Sequence, residues 1–284
     1  MKIAVLSGKG GTGKTTISNN LAALLPQATL IDCDVEEPNS HIFMNPILKE
    51  EEDVKVGYPV IDEEKCTHCR KCATFCHYNA IIASTRITMP MKELCHDCGG
   101  CALVCEADAI KYEYRNIGKI YEGTSRFSTK IIYGALNTGE LSGVKIINRI
   151  YEIIKGKPLV IVDSPPGTSC STVAAVEDCD YALIVTEPTP FGASDMKMVV
   201  EMLKEMKIPF SLVINKAGLG DNEVYEYCKK ENLEIIGEQP FDMAVAEAYA
   251  VGKLAIEVNT GFRNSYEVLW ERIFSKVVAL HGSK

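Results

Sequence analysis

Three groups of residues in this 284-residue chain have the types and the spacing to do chemistry. The first is Gly8-Lys9-Gly10-Gly11-Thr12-Gly13-Lys14-Thr15-Thr16, a glycine-rich run opening what reads as a helix near Lys14. Backbone N–H groups of Gly8, Gly10, Gly11, Thr12 and Gly13 can curl around phosphate oxygens at a helix N-terminus. Lys14 reaches the β and γ phosphates, the Thr15 hydroxyl joins a Mg2+ shell, and Thr16 belongs to the same nucleotide-binding run. The second group is a doubled cysteine pattern, Cys66-x2-Cys69-x2-Cys72-x3-Cys76 and Cys95-x2-Cys98-x2-Cys101-x3-Cys105. Each copy is followed by an Ala-Ile pair, Ala80-Ile81 and Ala109-Ile110, so the segment is an internal repeat with implied pseudo-twofold symmetry. The third is a pair of aspartate-bearing strand ends, Ile31-Asp32-Cys33-Asp34 and Val162-Asp163-Ser164-Pro165-Pro166-Gly167.

Each group has a competing reading. Gly8-x-Gly10-x-x-Gly13 with Asp32 also spells a dinucleotide fingerprint, but dinucleotide binding needs no Lys-Thr pair, and Lys14-Thr15 complete the phosphate-loop pattern. Four-cysteine sites also hold zinc, yet zinc sites usually use two separated C-x2-C pairs. A carboxylate at a strand end often caps a helix or joins an ion pair.

The cysteine runs resemble those of bacterial two-cluster ferredoxins, in which each run supplies three ligands to one 4Fe-4S cluster and its fourth to the other. The resemblance implies one cluster on Cys66, Cys69, Cys72 and Cys105, and a second on Cys95, Cys98, Cys101 and Cys76. The proline that usually follows each fourth cysteine is replaced by His77 and Glu106. His68, His77 and His96 lie among the ligands and read as groups that tune the clusters rather than bind them, because the eight cysteines leave no vacancy.

The phosphate loop resembles that of the MinD/ParA/Mrp and nitrogenase iron-protein superfamily, whose deviant loop carries an extra lysine directly after the first glycine, here Lys9. The resemblance implies an ATPase that works as a homodimer with ATP at the interface and Lys9 touching the partner's nucleotide. It implies Asp34 as the group that positions the attacking water, Asp163 with Thr15 as Mg2+ ligands, and Gly167 on a switch segment near the γ phosphate. By the same resemblance Asn215 and Pro240 border the base. Cys33, Cys170, Cys179 and Cys228 lie outside the module. Cys170 sits where the iron protein has one bridging cysteine, but Gly139-Glu140-Leu141-Ser142-Gly143 offers no second, so a third, interfacial cluster is not expected.

The elements that position these groups follow from hydrophobic pattern. Apolar, β-rich runs recur at Ile3–Ser7, Ala28–Asp32, Leu159–Asp163, Tyr181–Thr186, Phe210–Asn215 and Leu233–Gly237. Helical patterns lie at Thr15–Leu25, Val144–Lys155 and Ser194–Lys207, each stopped by Pro or Gly. The alternation predicts an α/β fold with a doubly wound, mainly parallel sheet. From about Gly57 to Ile117 the rhythm breaks, strands look short and no crossover helix fits. This reads as an inserted α+β ferredoxin domain at 57–117 within an ATPase domain of 1–56 and 118–284. A last helix, about Asn264–Leu280, shows an apolar stripe of Val268, Leu269, Ile273, Val277 and Leu280, expected to pack on the sheet because its polar face is mixed in charge.

The bulk properties limit the partners. The formal charge is -8, which argues against charge-driven nucleic-acid binding. No apolar run is long enough for a bilayer and no signal-peptide pattern precedes Ile3, so a cytoplasmic location without stable membrane insertion is expected. There, twelve cysteines read first as metal ligands. The leading expectation is an ATPase that couples nucleotide state to electron transfer, with a redox or cluster-accepting protein as partner. The alternatives are an Mrp-like carrier of iron-sulfur or other metal clusters and a ParA/MinD-like positioning switch.

Overall fold

A computed structural model describes residues 1–282. In chain order the first elements are β1 (Lys2–Leu6), α1 (Lys14–Leu24), β2 (Thr29–Asp32), α2 (Ser40–Met44) and β3 (Ile47–Ile61). The cysteine-rich segment holds α3 (Lys71–Phe75), β4 (Ile81–Ala83), β5 (Thr88–Pro90) and α4 (Gly100–Leu103). After it come β6 (Ile110–Thr124), β7 (Lys130–Leu136), α5 (Val144–Ile153), β8 (Val160–Asp163), α6 (Cys170–Val176) and β9 (Tyr181–Thr186). The chain continues with α7 (Pro190–Met206), β10 (Phe210–Ala217), α8 (Glu223–Lys230), β11 (Ile235–Pro240), α9 (Met243–Ala250) and α10 (Thr260–Gly282).

One nine-stranded sheet runs β11-β10-β9-β1-β8-β2-β7-β6-β3. All pairs from β11 through β7 are parallel, while β6 is antiparallel to β7 and to β3. The central strands β1, β8 and β9 are buried on both faces, so each reads as a nearly unbroken apolar run. Two apolar cores flank them, one around Ile146, Ile147, Val199 and Leu203, the other around Ile17, Leu21, Leu269 and Ile273. The phosphate loop, the Asp32–Asn39 segment and the turn after Asp163 emerge together at the carboxyl ends of β1, β2 and β8, where open α/β sheets place ligands.

The six apolar runs all form strands, and the four helical patterns all form helices. Helix α7 starts earlier than its apolar pattern, at Pro190, because the Thr189 side chain accepts a hydrogen bond from the Gly192 N–H and caps it. In α10 the stripe differs in detail. Tyr266, Leu269, Ile273 and Val277 are buried, whereas Val268 and Leu280 are exposed, since an i, i+3, i+7, i+11 row is what meets the sheet. Among the described residues no helix is long and apolar enough to cross a membrane.

The larger difference lies at the cysteine-rich segment. Its flanks are not short strands but two of 15 residues each, β3 and β6, paired from Ile47↔Thr124 out to Ile61↔Ile110. Positions 57 and 117 fall inside this ribbon. Its near half extends the main sheet and its far half carries the cysteine-rich segment. A register shift between Val54 and Lys55 leaves Ile117 without an opposite residue, a bulge that increases local twist and re-aims the far half. The β4–β5 pair forms a separate two-stranded sheet.

Helix α5 holds the near half in place. A Cβ at Gly118 would lie 2.6 Å from Ile146 Cδ1, and one at Gly134 would lie 2.4 Å from Ile146 Cγ2. Ile146 is therefore keyed into a flat spot made by two glycines on neighbouring strands. Ile146→Ala should lower stability by about 2–5 kcal/mol, read as a fall in the urea midpoint with unchanged slope.

Candidate functional site

At the end of β1, Gly11 and Gly13 adopt φ of +80° and +93°, conformations that favour glycine. A Cβ at Gly13 would also sit 2.1 Å from the Asn215 amide nitrogen, and one at Gly8 2.3 Å from the Asp195 carbonyl oxygen. The loop is thus tightened between β10 and α7. Asn215 Nδ2 donates to the Thr12 carbonyl oxygen at 2.8 Å, and Gly167 N donates to Ser7 O at 2.8 Å.

Inside the loop, the nearly buried Lys14 ammonium stands 3.4 Å from Asp163 Oδ1 and 3.8 Å from Asp34 Oδ2. Burial works against its charge, but Asp163, Asp34 and Asp32 together outweigh that and hold the ammonium above its usual range. Asp163 Oδ2 accepts from Ser40 Oγ at 3.3 Å, and Ser40 Oγ accepts from Asn19 Nδ2 at 3.1 Å. Asp32 is a clamp for the loop after β2. It is buried, and its two oxygens accept from the N–H groups of Asp34, Asn39 and Ser40. Burial first and Asp163 second push its carboxyl well above the ordinary range. Burial likewise pushes Asp34 up to about 6, against the pull of Lys14.

Lys14 and Asp34 border a cavity of about 910 Å³. Lys9, Gly10, Gly11, Gly13, Lys14, Thr15, Thr16, Asp34, Asn215 and Pro240 all line it. Gly8, Thr12, Asp163 and Gly167 lie behind that lining, and Thr12 Oγ1 is buried without a partner. Lys9 Nζ rests 5.8 Å from the centre of the exposed Phe191 ring. Two contributors went unseen in the sequence. Ser40 joins α1 to Asp163, and α9 supplies Val245, Ala246 and Tyr249 as an apolar wall. Asp242, whose carboxylate caps α9 through Ala244 N and Val245 N, was the available signal for that helix.

The cysteine-rich segment is built twice at a spacing of 29 residues, and its backbone repeats as its sequence does. His68 and Asp97, Arg70 and Gly99, and Asn79 and Asp108 all have positive φ. Cys76 Sγ accepts from Ala80 N at 3.3 Å and Cys105 Sγ from Ala109 N at 3.4 Å, again repeat-equivalent contacts. Successive N–H groups in such turns form anion-binding concavities. Two small cavities result. One is lined by Cys66, Cys69, Cys72 and Cys105, with Arg70, Lys71 and Thr88. The other is lined by Cys76, Cys95, Cys98 and Cys101, with Phe75, Tyr78 and Tyr112. None of the twelve cysteines forms a disulfide. Among the described residues no three His, Cys, Asp or Glu side chains converge on a point that a single metal ion would fill. His96 stacks on Tyr78 and His77 meets Phe75 edge-on, while His68 Nδ1 lies 3.7 Å from Cys66 Sγ. Cys33, Cys179 and Cys228 are buried, and Cys170 is exposed at the start of α6.

A parallel α/β sheet with a glycine-rich loop, a buried lysine and two aspartates around one cavity defines a P-loop nucleotide-binding protein. The CobQ/CobB/MinD/ParA nucleotide binding domain family matches residues 3–256, and the chain belongs to that family. It is 34% identical over 271 residues, 91% of this chain and 93% of the other, to an uncharacterized protein of Methanocaldococcus jannaschii. It is 24% identical to the iron-sulfur cluster carrier protein of Pyrococcus horikoshii, covering 99% of this chain and 88% of that one. In fold it is similar to the septum site-determining protein MinD of Pyrococcus horikoshii complexed with Mg-ADP, with TM-score 0.59, 17% identity, and 96% and 95% of the two chains covered.

Because Asp34 ionises later in the folded chain than in the unfolded one, folding favours its protonated form. The unfolded chain loses that proton first, so stability falls as pH rises from about 4 to about 6 and levels off above. Asp34→Asn should therefore match wild type near pH 4 and exceed it by about 2–3 kcal/mol at pH 8, measured by urea unfolding at both pH values.

Proposed function

We propose that the protein is an ATP-hydrolysing iron-sulfur protein in which each four-cysteine cavity holds a 4Fe-4S cluster and the nucleotide state governs electron delivery from them. The observation that carries this reading is the division of the eight cysteines between two cavities, each taking three from one repeat and the fourth from the other. Four thiols set around a space suit a cluster with ligands at its corners. The clusters, when bound, supply one-electron transfer. The chain's own residues supply the enclosure: Tyr112 OH lies 3.1 Å from Cys101 Sγ, and Thr88 Oγ1 lies 3.6 Å from Cys66 Sγ. The segment's own core is small, formed by Cys72, Ile81, Cys101 and Ile110. Crossed ligation would knit the two repeats together and supply stability that so few apolar residues cannot.

At the nucleotide site, incoming phosphate draws Lys14 away from Asp163 and Asp34. Asp163 and Thr15 would hold Mg2+, for which a buried carboxylate backed by the Ser40 hydroxyl is a fitting donor set. Asp34, freed of Lys14, orients water for in-line attack on the γ phosphate. Lys9 leaves Phe191 to reach the nucleotide of a second copy in an ATP-bridged homodimer. Asn215 and the backbone after Pro240 border the base, while Val245 and Tyr249 exclude water beside it.

A second reading makes the clusters cargo. The iron-sulfur cluster carrier proteins among the relatives favour it over electron transfer, as does a cytosolic Fe-S cluster assembly factor homolog of Caenorhabditis elegans that is 22% identical. Anaerobic reconstitution separates the two. Retained clusters whose midpoint potential changes with Mg-ATP support electron delivery, rapid ATP-dependent transfer to an apo-protein supports the carrier, and no nucleotide effect at all removes both. Cys105→Ala should perturb the cluster on Cys66, Cys69 and Cys72 while sparing the other, and Cys76→Ala should do the reverse. Loss of the opposite signal in either variant, read by electron paramagnetic resonance and iron content, would refute crossed ligation. Lys14→Ala should weaken ATP binding on the order of 100-fold or more, read by calorimetry.

A further inference from the structure

A path with two non-covalent contacts joins the nucleotide site to the loop that bears Cys95 and Cys98. Val35 directly follows Asp34 and is buried. Its two methyl groups fill the spaces where side chains at Gly134 and Gly143 would stand, 2.7 and 2.2 Å from a Cβ there. Its carbonyl oxygen accepts from Leu136 N at 2.8 Å. Gly143 begins α5, and two residues on, Lys145 Nζ lies 3.7 Å from Asp97 Oδ2. Asp97 stands between Cys95 and Cys98, in the left-handed conformation with φ of +53°. Its other oxygen packs on the ribbon at Gly57, where a Cβ would lie only 2.5 Å from it. The 137–143 loop is fastened to the same ribbon. Asn137 N donates to Ile117 O at 2.8 Å, and Arg115 pairs with Glu140.

We propose that Lys145 and Asp97 are positioning residues that carry the state of the nucleotide site, through Val35 and the start of α5, to the Cys95–Cys98 ligand loop. This rests on the function proposed above and adds where the coupling runs and which cluster it reaches. Release of Asp34 by Lys14 moves the residue beside Val35. A valine locked between two glycines transmits displacement because close-packed groups shift together. The ion pair adds little stability at a partly exposed position, so its role is orientation of Asp97, which stands in the chain between Cys95 and Cys98. The cavity of Cys66, Cys69, Cys72 and Cys105 is lined instead by Arg70 and Lys71; α5 lines neither cavity, and its link to the second is the Lys145–Asp97 pair.

The test uses the full-length, anaerobically reconstituted protein with and without a non-hydrolysable ATP analogue and Mg2+. Potentiometric titration followed by electron paramagnetic resonance is run on wild type, Lys145→Gln, Lys145→Arg and Asp97→Asn. In wild type the analogue should shift the potential of the cluster on Cys76, Cys95, Cys98 and Cys101. Lys145→Gln and Asp97→Asn should remove about half of that shift or more, with analogue affinity within about threefold of wild type, and Lys145→Arg should preserve it. Hydrogen exchange of residues 95–101 should respond to the analogue in wild type and not in Lys145→Gln. An undiminished shift in both Lys145→Gln and Asp97→Asn overturns the proposal, as does a shift confined to the other cluster. Absence of any shift in wild type overturns the underlying function instead.

Discussion

Everything at the carboxyl end of the sheet depends on one buried ammonium. Lys14 stands among Asp163, Asp34 and Asp32, so a single interior positive charge faces three carboxyl groups. Such an arrangement is costly, because desolvation of several acids exceeds what one cation returns. The chain offsets part of the cost with hydrogen bonds: three backbone N–H groups on Asp32 and the Ser40 hydroxyl on Asp163. The residual strain on Asp34 is left in place, as is usual where a group must be ready to act. The Asp32 clamp is what gives the 33–40 segment its shape. It also puts Val35 and Ser40 where they meet α5 and Asp163.

The parts of this architecture legible in the sequence are those where chemistry or two-sided burial leaves little freedom. Ile3–Leu6, Ile161–Val162 and Ala182–Val185 are covered on both faces and read as strands directly. The phosphate loop and the cysteine runs are legible because ligand geometry fixes spacing. The β3–β6 ribbon was hidden, since Lys49-Glu50-Glu51-Glu52-Asp53 looks like a solvated loop. The run's side chains are exposed on both faces apart from half-buried Glu52, and it forms strand because its backbone pairs with β6 while its charges find partners across and beside the strand, Lys119 on Glu51 and Arg149 on Glu52. Ser40 and the α9 wall were hidden for another reason. Their contribution depends on where separate loops meet in space, and no local pattern records that.

The ribbon also explains how the cysteine-rich segment can be both separate and attached. Its small core could not hold an independent domain, yet two continuous strands tie it to a sheet with a large one. The bulge at Ile117 and the glycines at 57 and 118 sit where the two parts join. Side chains there would collide with Asp97, Ala135 or Ile146, so the join is made by close backbone approach rather than by a flexible linker.

That same charged run has a second effect, on how the molecule behaves among copies of itself. Strand β3 is the outermost member of the nine-stranded sheet, 15 residues long, and it presents a free row of backbone donors and acceptors along one side. A long edge of this kind is a template for another chain to pair with. Four consecutive acidic side chains, Glu50 to Asp53, make such pairing repulsive between identical molecules. The sequence feature that hid the strand from pattern reading is thus what keeps the sheet from growing beyond its ninth strand.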